Sequence, residues 1–150
     1  MIDLSLMDSE LQRDEGYQPH VYQDSLGFWT IGNGFLVDKR RGGTLPEPVR
    51  ALWLSLLVQE CVRDIQNEPW FLACDTDARR RALVNMRFQL GAGGLRTFRR
   101  SLAAIQARKW LEAGALMRQS LWYKQTPMRA ERVIRMIESG EAARTGGPGG

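Results

Sequence analysis

The sequence predicts an α+β chain with a small antiparallel β lobe near its start and a larger helical lobe behind it. Three observations point there. β-prone runs punctuated by glycine cluster between residues 17 and 37, and a long apolar segment follows them. From Asp77 onward the pattern reads as helix throughout. The 150 residues, 43% of them hydrophobic, suffice for one domain or two small lobes sharing a connecting helix.

Taken in order, Leu4 to Glu15 carries apolar residues at 4, 6, 7 and 11 and predicts a short, mostly polar helix. Gly16 follows, as a helix C-terminus favours. Val21-Tyr22, Phe28 to Ile31 and Phe35 to Val37 predict two or three strands, with Asp24 to Gly27 and Gly32 to Gly34 as turns. His20, beside Pro19, is expected in a turn at the surface. Asp38 to Pro48 reads as a loop. In Val49 to Ile65, 11 of 17 residues are apolar and too widely spread for one stripe, which predicts a helix buried on most sides or one spanning two lobes.

Further helices are expected at Ala78 to Leu90, stopped by the glycines at 91, 93 and 94, around Arg99 to Ala107, and around Trp110 to Met117. The last should run from Pro127 to Glu138, with Thr126 as N-cap and Gly140 beyond its end. The expected organisation is one domain over residues 1–140. It comprises a small lobe at about 13–48, a connecting helix at about 48–67, and a helical lobe at about 70–140 that includes the N-terminal helix. Residues 141–150 form a flexible tail.

Composition excludes several function classes. Cys61 and Cys74 are too few for a disulfide framework and are expected to be reduced spectators. One histidine, His20, cannot build a zinc site of the usual kind, so no metal and no cofactor is expected. The first ten residues hold three acids and no base, unlike a secretory leader. The longest apolar stretch falls far short of the ~20 residues a bilayer crossing needs. A soluble monomer made in a cytoplasm is expected. Charge is uneven: residues 1–75 hold 6 Lys/Arg and 12 Asp/Glu, whereas residues 76–150 hold 15 and 5. The basic half suits a polyanion such as cell-wall carboxylates, an anionic envelope surface or nucleic acid, or it is a helical lobe with arginine-rich solvated faces.

Glu15 stands at the C-terminal end of the first helix, a setting that raises a carboxyl pKa. Asp24 lies nine residues on, in a turn that would keep it ionised, and Thr30 six further, inside a strand. A protonated carboxyl facing an ionised one is what glycoside hydrolysis requires. By spacing alone Asp14 competes with Glu15, and two acids this close occur in most proteins.

The surrounding residues decide between them. Arg13-Asp14-Glu15-Gly16-Tyr17 and Val21-Tyr22-Gln23-Asp24-Ser25-Leu26-Gly27-Phe28-Trp29-Thr30-Ile31-Gly32-Asn33-Gly34 resemble the active-site region of T4-type phage lysozymes, glycoside hydrolase family 24. Asn85-Met86-x-Phe88-Gln89-Leu90-Gly91 resembles that family's central helix, and Trp122-Tyr123-x-Gln125-Thr126-Pro127-x-Arg129 the start of its last one.

The resemblance implies a lysozyme-like fold with a cleft between the lobes. It implies Glu15 as general acid, Asp24 acting on the attacking water and Thr30 helping to hold it, with inversion at the anomeric carbon. Leu36, Phe88 and Ser101 match saccharide-contacting positions, and Arg129 an arginine that pairs with Glu15. Phe88 also fits an apolar helix face, while Trp110, Trp122 and Tyr123 read as lobe core.

The implied reaction is cleavage of the β-1,4 bond between N-acetylmuramic acid and N-acetylglucosamine in peptidoglycan. The enzyme would be an N-acetylmuramidase that leaves the host cytoplasm through a holin-made lesion or travels with the virion. A lytic transglycosylase on the same scaffold, or a basic nucleic-acid-binding module built on residues 76–150, are the alternatives. The sequence departs from the family at Phe35, where its best-known member has a histidine, at Leu116, which replaces a polar substrate contact, and in a shortened segment after Phe35.

Overall fold

The computed structural model describes residues 2–15, 18–23, 29–32, 35–36 and 46–143. Helix α1 (Leu4–Glu15) starts at Asp3, whose carboxylate accepts from the backbone N–H groups of Ser5 and Leu6 at 3.0 and 3.1 Å. That satisfies donors with no intrahelical partner. Met7 and Leu11, one turn apart, are fully buried.

Strands β1 (Gln18–Gln23), β2 (Trp29–Gly32) and β3 (Phe35–Leu36) form one antiparallel sheet in that order. Tyr22 pairs with Thr30 and Thr30 with Leu36, with a bulge between Gln18 and Tyr22. β1 takes in Pro19 and His20, which the sequence placed in a turn. The Gly16 stop, the turn at 24–27, Phe28 and Val37 of the β-prone runs, most of the turn at 32–34, most of the 38–48 loop and tail residues 144–150 lie outside the described residues.

Helix α2 (Glu47–Ile65) buries one stripe, Arg50, Leu54, Val58, Cys61 and Ile65, while Val49, Leu52 and Leu56 remain exposed. The sequence left open burial on most sides or a span across two lobes; the repeat of three to four residues buries a single face, so the first of these does not hold. Arg50 is 1% exposed and forks onto Glu47 and Asp8. Five helices follow α3 (Pro69–Leu72): α4 (Asp77–Arg96), α5 (Arg99–Gln106), α6 (Trp110–Met117), α7 (Leu121–Gln125) and α8 (Pro127–Ser139). Among the described residues no helix is long and apolar enough to cross a membrane.

The chain divides into two compact units, residues 3–59, and residue 60 onward with the first two residues. This corrects the expected α+β class with a β lobe. The strands are 6, 4 and 2 residues long, and the unit holding them also contains all of α1 and the first part of α2. The described chain is thus predominantly helical and carries a short three-stranded ribbon. Runs this brief, cut by glycine turns, cannot supply a sheet face broad enough for a lobe of its own.

In the second unit α4 is the enclosed helix. Ala78, Arg79, Arg81, Ala82, Leu83, Val84, Asn85 and Met86 are all buried, with Arg80 half-buried among them. Gly91 breaks it, with φ 80° and ψ 171°, as the glycine cluster predicted, but the helix resumes and runs to Arg96. Against it packs α8, whose buried Ala130, Val133, Ile134 and Ile137 recur every three to four residues. Thr126 occupies the N-cap position of α8 but makes no cap bond; its hydroxyl turns back to the Trp122 carbonyl at 3.1 Å.

Gly140 closes α8 in the left-handed region at φ 73°. A Cβ there would also lie 2.7 Å from the Arg79 guanidinium. Gly140→Ala is therefore expected to cost about 1–2 kcal/mol from the backbone alone, with the crowding added. Urea denaturation measures it, and an unchanged midpoint would refute it.

On the α8 surface Arg118 forks onto Glu131 and Glu138 at 2.8–3.1 Å, and Arg135 and the Tyr123 hydroxyl both donate to Glu131. The Arg118 guanidinium, helped by Tyr123 and Arg135, lowers the Glu131 carboxyl from 4.5 to about 2. A depressed carboxylate contributes stability above its unfolded value and loses it as pH falls through the folded one. Thermal stability of Glu131→Gln should therefore fall less steeply than wild type between pH 4.5 and 2. Parallel melting curves for the two proteins would contradict this.

Candidate active site

Glu15 is the last residue of α1, half-buried. The side chain of its neighbour Asp14 is 2% exposed and lies 3.9 Å from the Arg13 guanidinium. The Asp14 carboxylate is thus closed in beside a cation, and Glu15 ends the helix.

Thr30 pairs on one side with Tyr22 and on the other with Leu36, so Thr30 and Leu36 share one row across the sheet. Gln23 is the last residue of β1, paired with Trp29; Asp24 follows it directly and lies outside the described residues.

The second unit holds Phe88, Ser101 and Arg129. Phe88 is half-buried on α4, neither a closed core residue nor a free surface one. Ser101 is 4% exposed in the first turn of α5. Arg129, 7% exposed, donates through Nε and Nη2 to the Asn85 carboxamide oxygen at 3.1 and 2.9 Å.

Four residues further along α4, the Gln89 carboxamide accepts from Trp122 Nε1 at 2.8 Å and donates to the Thr126 hydroxyl at 3.4 Å. The two sequence blocks at 85–91 and 122–129 are therefore one hydrogen-bonded assembly. Asn85 and Gln89 hold together the start of α8 and its arginine. Neither was singled out as a site residue; a buried amide (Asn85 is 2% exposed) inside an apolar helical run was the signal available.

Trp122 is 5% exposed and packs edge-on against Phe98 with ring centroids 5.7 Å apart, a core residue as expected. Tyr123 is half-buried and Trp110 is covered on one face by Arg79. Cys61 and Cys74 are free and buried, and burial pushes the Cys74 thiol up to about 11. Among the described residues no three His, Cys, Asp or Glu side chains gather as a metal site.

The Arg79-Arg80-Arg81 run, part of the basic half that suits a polyanion, is largely used inside the unit. Arg79 pairs with Asp75, Arg81 is 2% exposed and paired with Asp77, and Arg80 donates to the Cys74 carbonyl at 3.0 Å. Arg87 and Arg96 both reach Asp64.

Comparison with known proteins places this arrangement. The family model for phage lysozyme matches residues 12–135, from the end of α1 into α8. Probable T4-type lysozyme 1 of Dictyostelium discoideum is 32% identical over 87% of this chain and 92% of its own length. The pre-baseplate central spike protein Gp5 of Enterobacteria phage T4 is 32% identical over 87% of this chain, which spans 27% of that protein. Peptidoglycan hydrolase gp36 of Pseudomonas phage phiKMV is 30% identical over 85% of this chain and 14% of its own. The end of α1, the strands and the α4–α8 assembly all fall within the matched stretch, and the chain belongs to the phage lysozyme family.

Proposed function

We propose that this chain hydrolyses the β-1,4 bond between N-acetylmuramic acid and N-acetylglucosamine in bacterial peptidoglycan, with inversion at the anomeric carbon. The observation that carries the reading is the match over residues 12–135, which takes in Glu15, Asp24, Thr30 and Arg129 in one ordered stretch. The name of the phiKMV relative, a peptidoglycan hydrolase, supports the substrate class.

In this reading Glu15 gives its proton to the glycosidic oxygen as the bond to the anomeric carbon breaks. A water molecule attacks that carbon from the opposite face and passes a proton to Asp24, while the Thr30 hydroxyl holds the water. Leu36, Phe88 and Ser101 contact the sugars, and Arg129 is held on α8 by the Asn85 carboxamide. Peptidoglycan is the partner, and delivery follows either release through a membrane lesion or carriage in the virion. The likeness to a baseplate spike protein supports the second route.

Mass spectrometry of products from purified peptidoglycan tests the reaction. Reducing muramic acid ends, heavier than the broken bond by one water, are expected. Anhydro-muramyl ends would instead assign a transglycosylase, which needs Glu15 but not Asp24. A nucleic-acid module is disfavoured by the inward use of Arg79 and Arg81. It would bind oligonucleotides with a steep salt dependence.

A further inference from the structure

Among the described residues Arg108 alone holds a positive φ, 56°, without being glycine. It stands just past the end of α5, where its N–H donates to the Ile105 carbonyl at 2.9 Å and the Lys109 N–H to the Ala104 carbonyl at 2.8 Å. Glycine is the usual residue in this paired-bond stop, because a Cβ crowds the left-handed conformation. Nothing the side chain does within the fold offsets that cost. Arg108 is exposed, and among the described residues its guanidinium makes no hydrogen bond or ion pair. A strained backbone position that carries an exposed, unengaged cation points to a role outside the fold.

The residues around it share this outward character. Arg108-Lys109-Trp110-Leu111 places two cations, an indole and an aliphatic side chain in one run. Leu111 is 71% exposed, and Trp110 is half-buried. Leu72, 65% exposed, ends α3, which packs against α5. The chain just beyond it carries Cys74 and Asp75, and the Arg108 charge acts on both. Arg79 and Arg80 are there too, the first over the Trp110 ring and the second on the Cys74 carbonyl. With Glu138 bound by Arg118, these four cations face two carboxylates, Asp75 and Glu112. All of these residues belong to the second unit.

A soluble polyanion would use the cations and leave the leucines in water. A bilayer of anionic lipid takes both, with headgroups on the basic side chains and the leucines and indole at the acyl boundary. We propose that the Arg108–Leu111 turn, together with Leu72, is a docking surface for an anionic phospholipid bilayer. Arg108 and Lys109 reach the headgroup phosphates while Leu72 and Leu111 enter the acyl boundary. This inference is independent of the peptidoglycan reading, since a lipid vesicle carries no glycan.

Co-sedimentation of the full chain with vesicles tests it. Vesicles of equal parts phosphatidylglycerol and phosphatidylcholine should bind about tenfold more tightly than phosphatidylcholine alone. Arg108→Gly/Lys109→Ala should weaken that binding about tenfold, and Arg108→Gly alone should not lower the melting temperature, because glycine adopts this φ without crowding. Arg99→Ala/Arg100→Ala removes the same charge from the opposite end of α5 and should bind as wild type does. Equal weakening in the two double variants would show attraction by net charge alone and overturn the proposal. So would absence of binding to the mixed vesicles, or a lower melting temperature for Arg108→Gly, which would assign the arginine to the fold.

A second comparison separates a bilayer from other polyanions. Leu72→Ser/Leu111→Ser should weaken vesicle binding about tenfold and leave retention on dextran sulfate unchanged. Tryptophan emission should move to the blue on the mixed vesicles in wild type and stay in place in Trp110→Phe. Full vesicle binding by the leucine variant, or an emission that does not move in wild type, would assign the surface to a soluble polyanion and overturn the bilayer assignment.

Discussion

Glu15→Gln is expected to lower cell-wall lysis by about a thousandfold or more while leaving the folded chain intact. A positioned general acid contributes roughly 10²–10⁴ to the rate, and a carboxamide of the same shape has no proton to give at any working pH. Asp14→Asn provides the contrast. Asp14 is the enclosed acid, its side chain 2% exposed beside Arg13, so its loss should lower the melting temperature while lysis persists. Turbidity clearing of a bacterial wall suspension and thermal melts on the same samples separate the two roles. Lysis retained in Glu15→Gln, or lost only in Asp14→Asn, would move the proton donor to the neighbouring acid. Asp24→Asn adds mechanistic detail. An inverting hydrolase should lose activity there too, whereas a transglycosylase should keep it.

How far the sequence could be read depends on what each element draws on. α1 was placed at its observed bounds and α6 close to them, because a short run of residues with apolar positions at helical spacing is a local signal. α3 and α7, four and five residues long, were missed, since no periodicity develops over one turn. The sheet shows the limit of β-propensity: the strands fall on or beside the β-prone runs, but nothing local says how little of the unit they make up.

The most instructive reversal concerns α2 and α4. By apolar content α2 looked like the enclosed helix, yet it buries one stripe, while α4 is buried around two turns despite three consecutive arginines. Composition counts charges, but burial depends on whether each has a partner, and Arg79 and Arg81 do. The same blindness applied to the site. Asn85 and Gln89 stood in a quoted sequence block without a role, and the bonds they make to Arg129, Trp122 and Thr126 emerge only when the helices that they tie together are in place.

Arg79→Met should be among the most destabilising single changes in the second unit, costing about 3–5 kcal/mol. Arg79 is 7% exposed and reaches from the start of α4 to the end of α8, where Nε donates to the Ile137 carbonyl at 2.8 Å and Nη2 to the Glu138 carbonyl at 3.1 Å. These carbonyls belong to the last turn, which has no amides ahead to bond it, so a remote side chain supplies the cap and its charge complements the helix dipole. The guanidinium also lies 4.1 Å from the centre of the Trp110 ring. Charge-assisted bonds to the two carbonyls are worth roughly 1.5–3 kcal/mol each, and the ring contact about 0.5–2.

The bond to Asp75, at 2.8 Å, looks as strong but is worth less. That carboxylate is 44% exposed and regains water when the arginine leaves. Asp75→Asn should therefore cost under about 1 kcal/mol. Urea unfolding of both variants distinguishes a helix clamp from a surface ion pair. Equal losses in the two would show that the pair with Asp75, and not the cap on α8, holds these elements together.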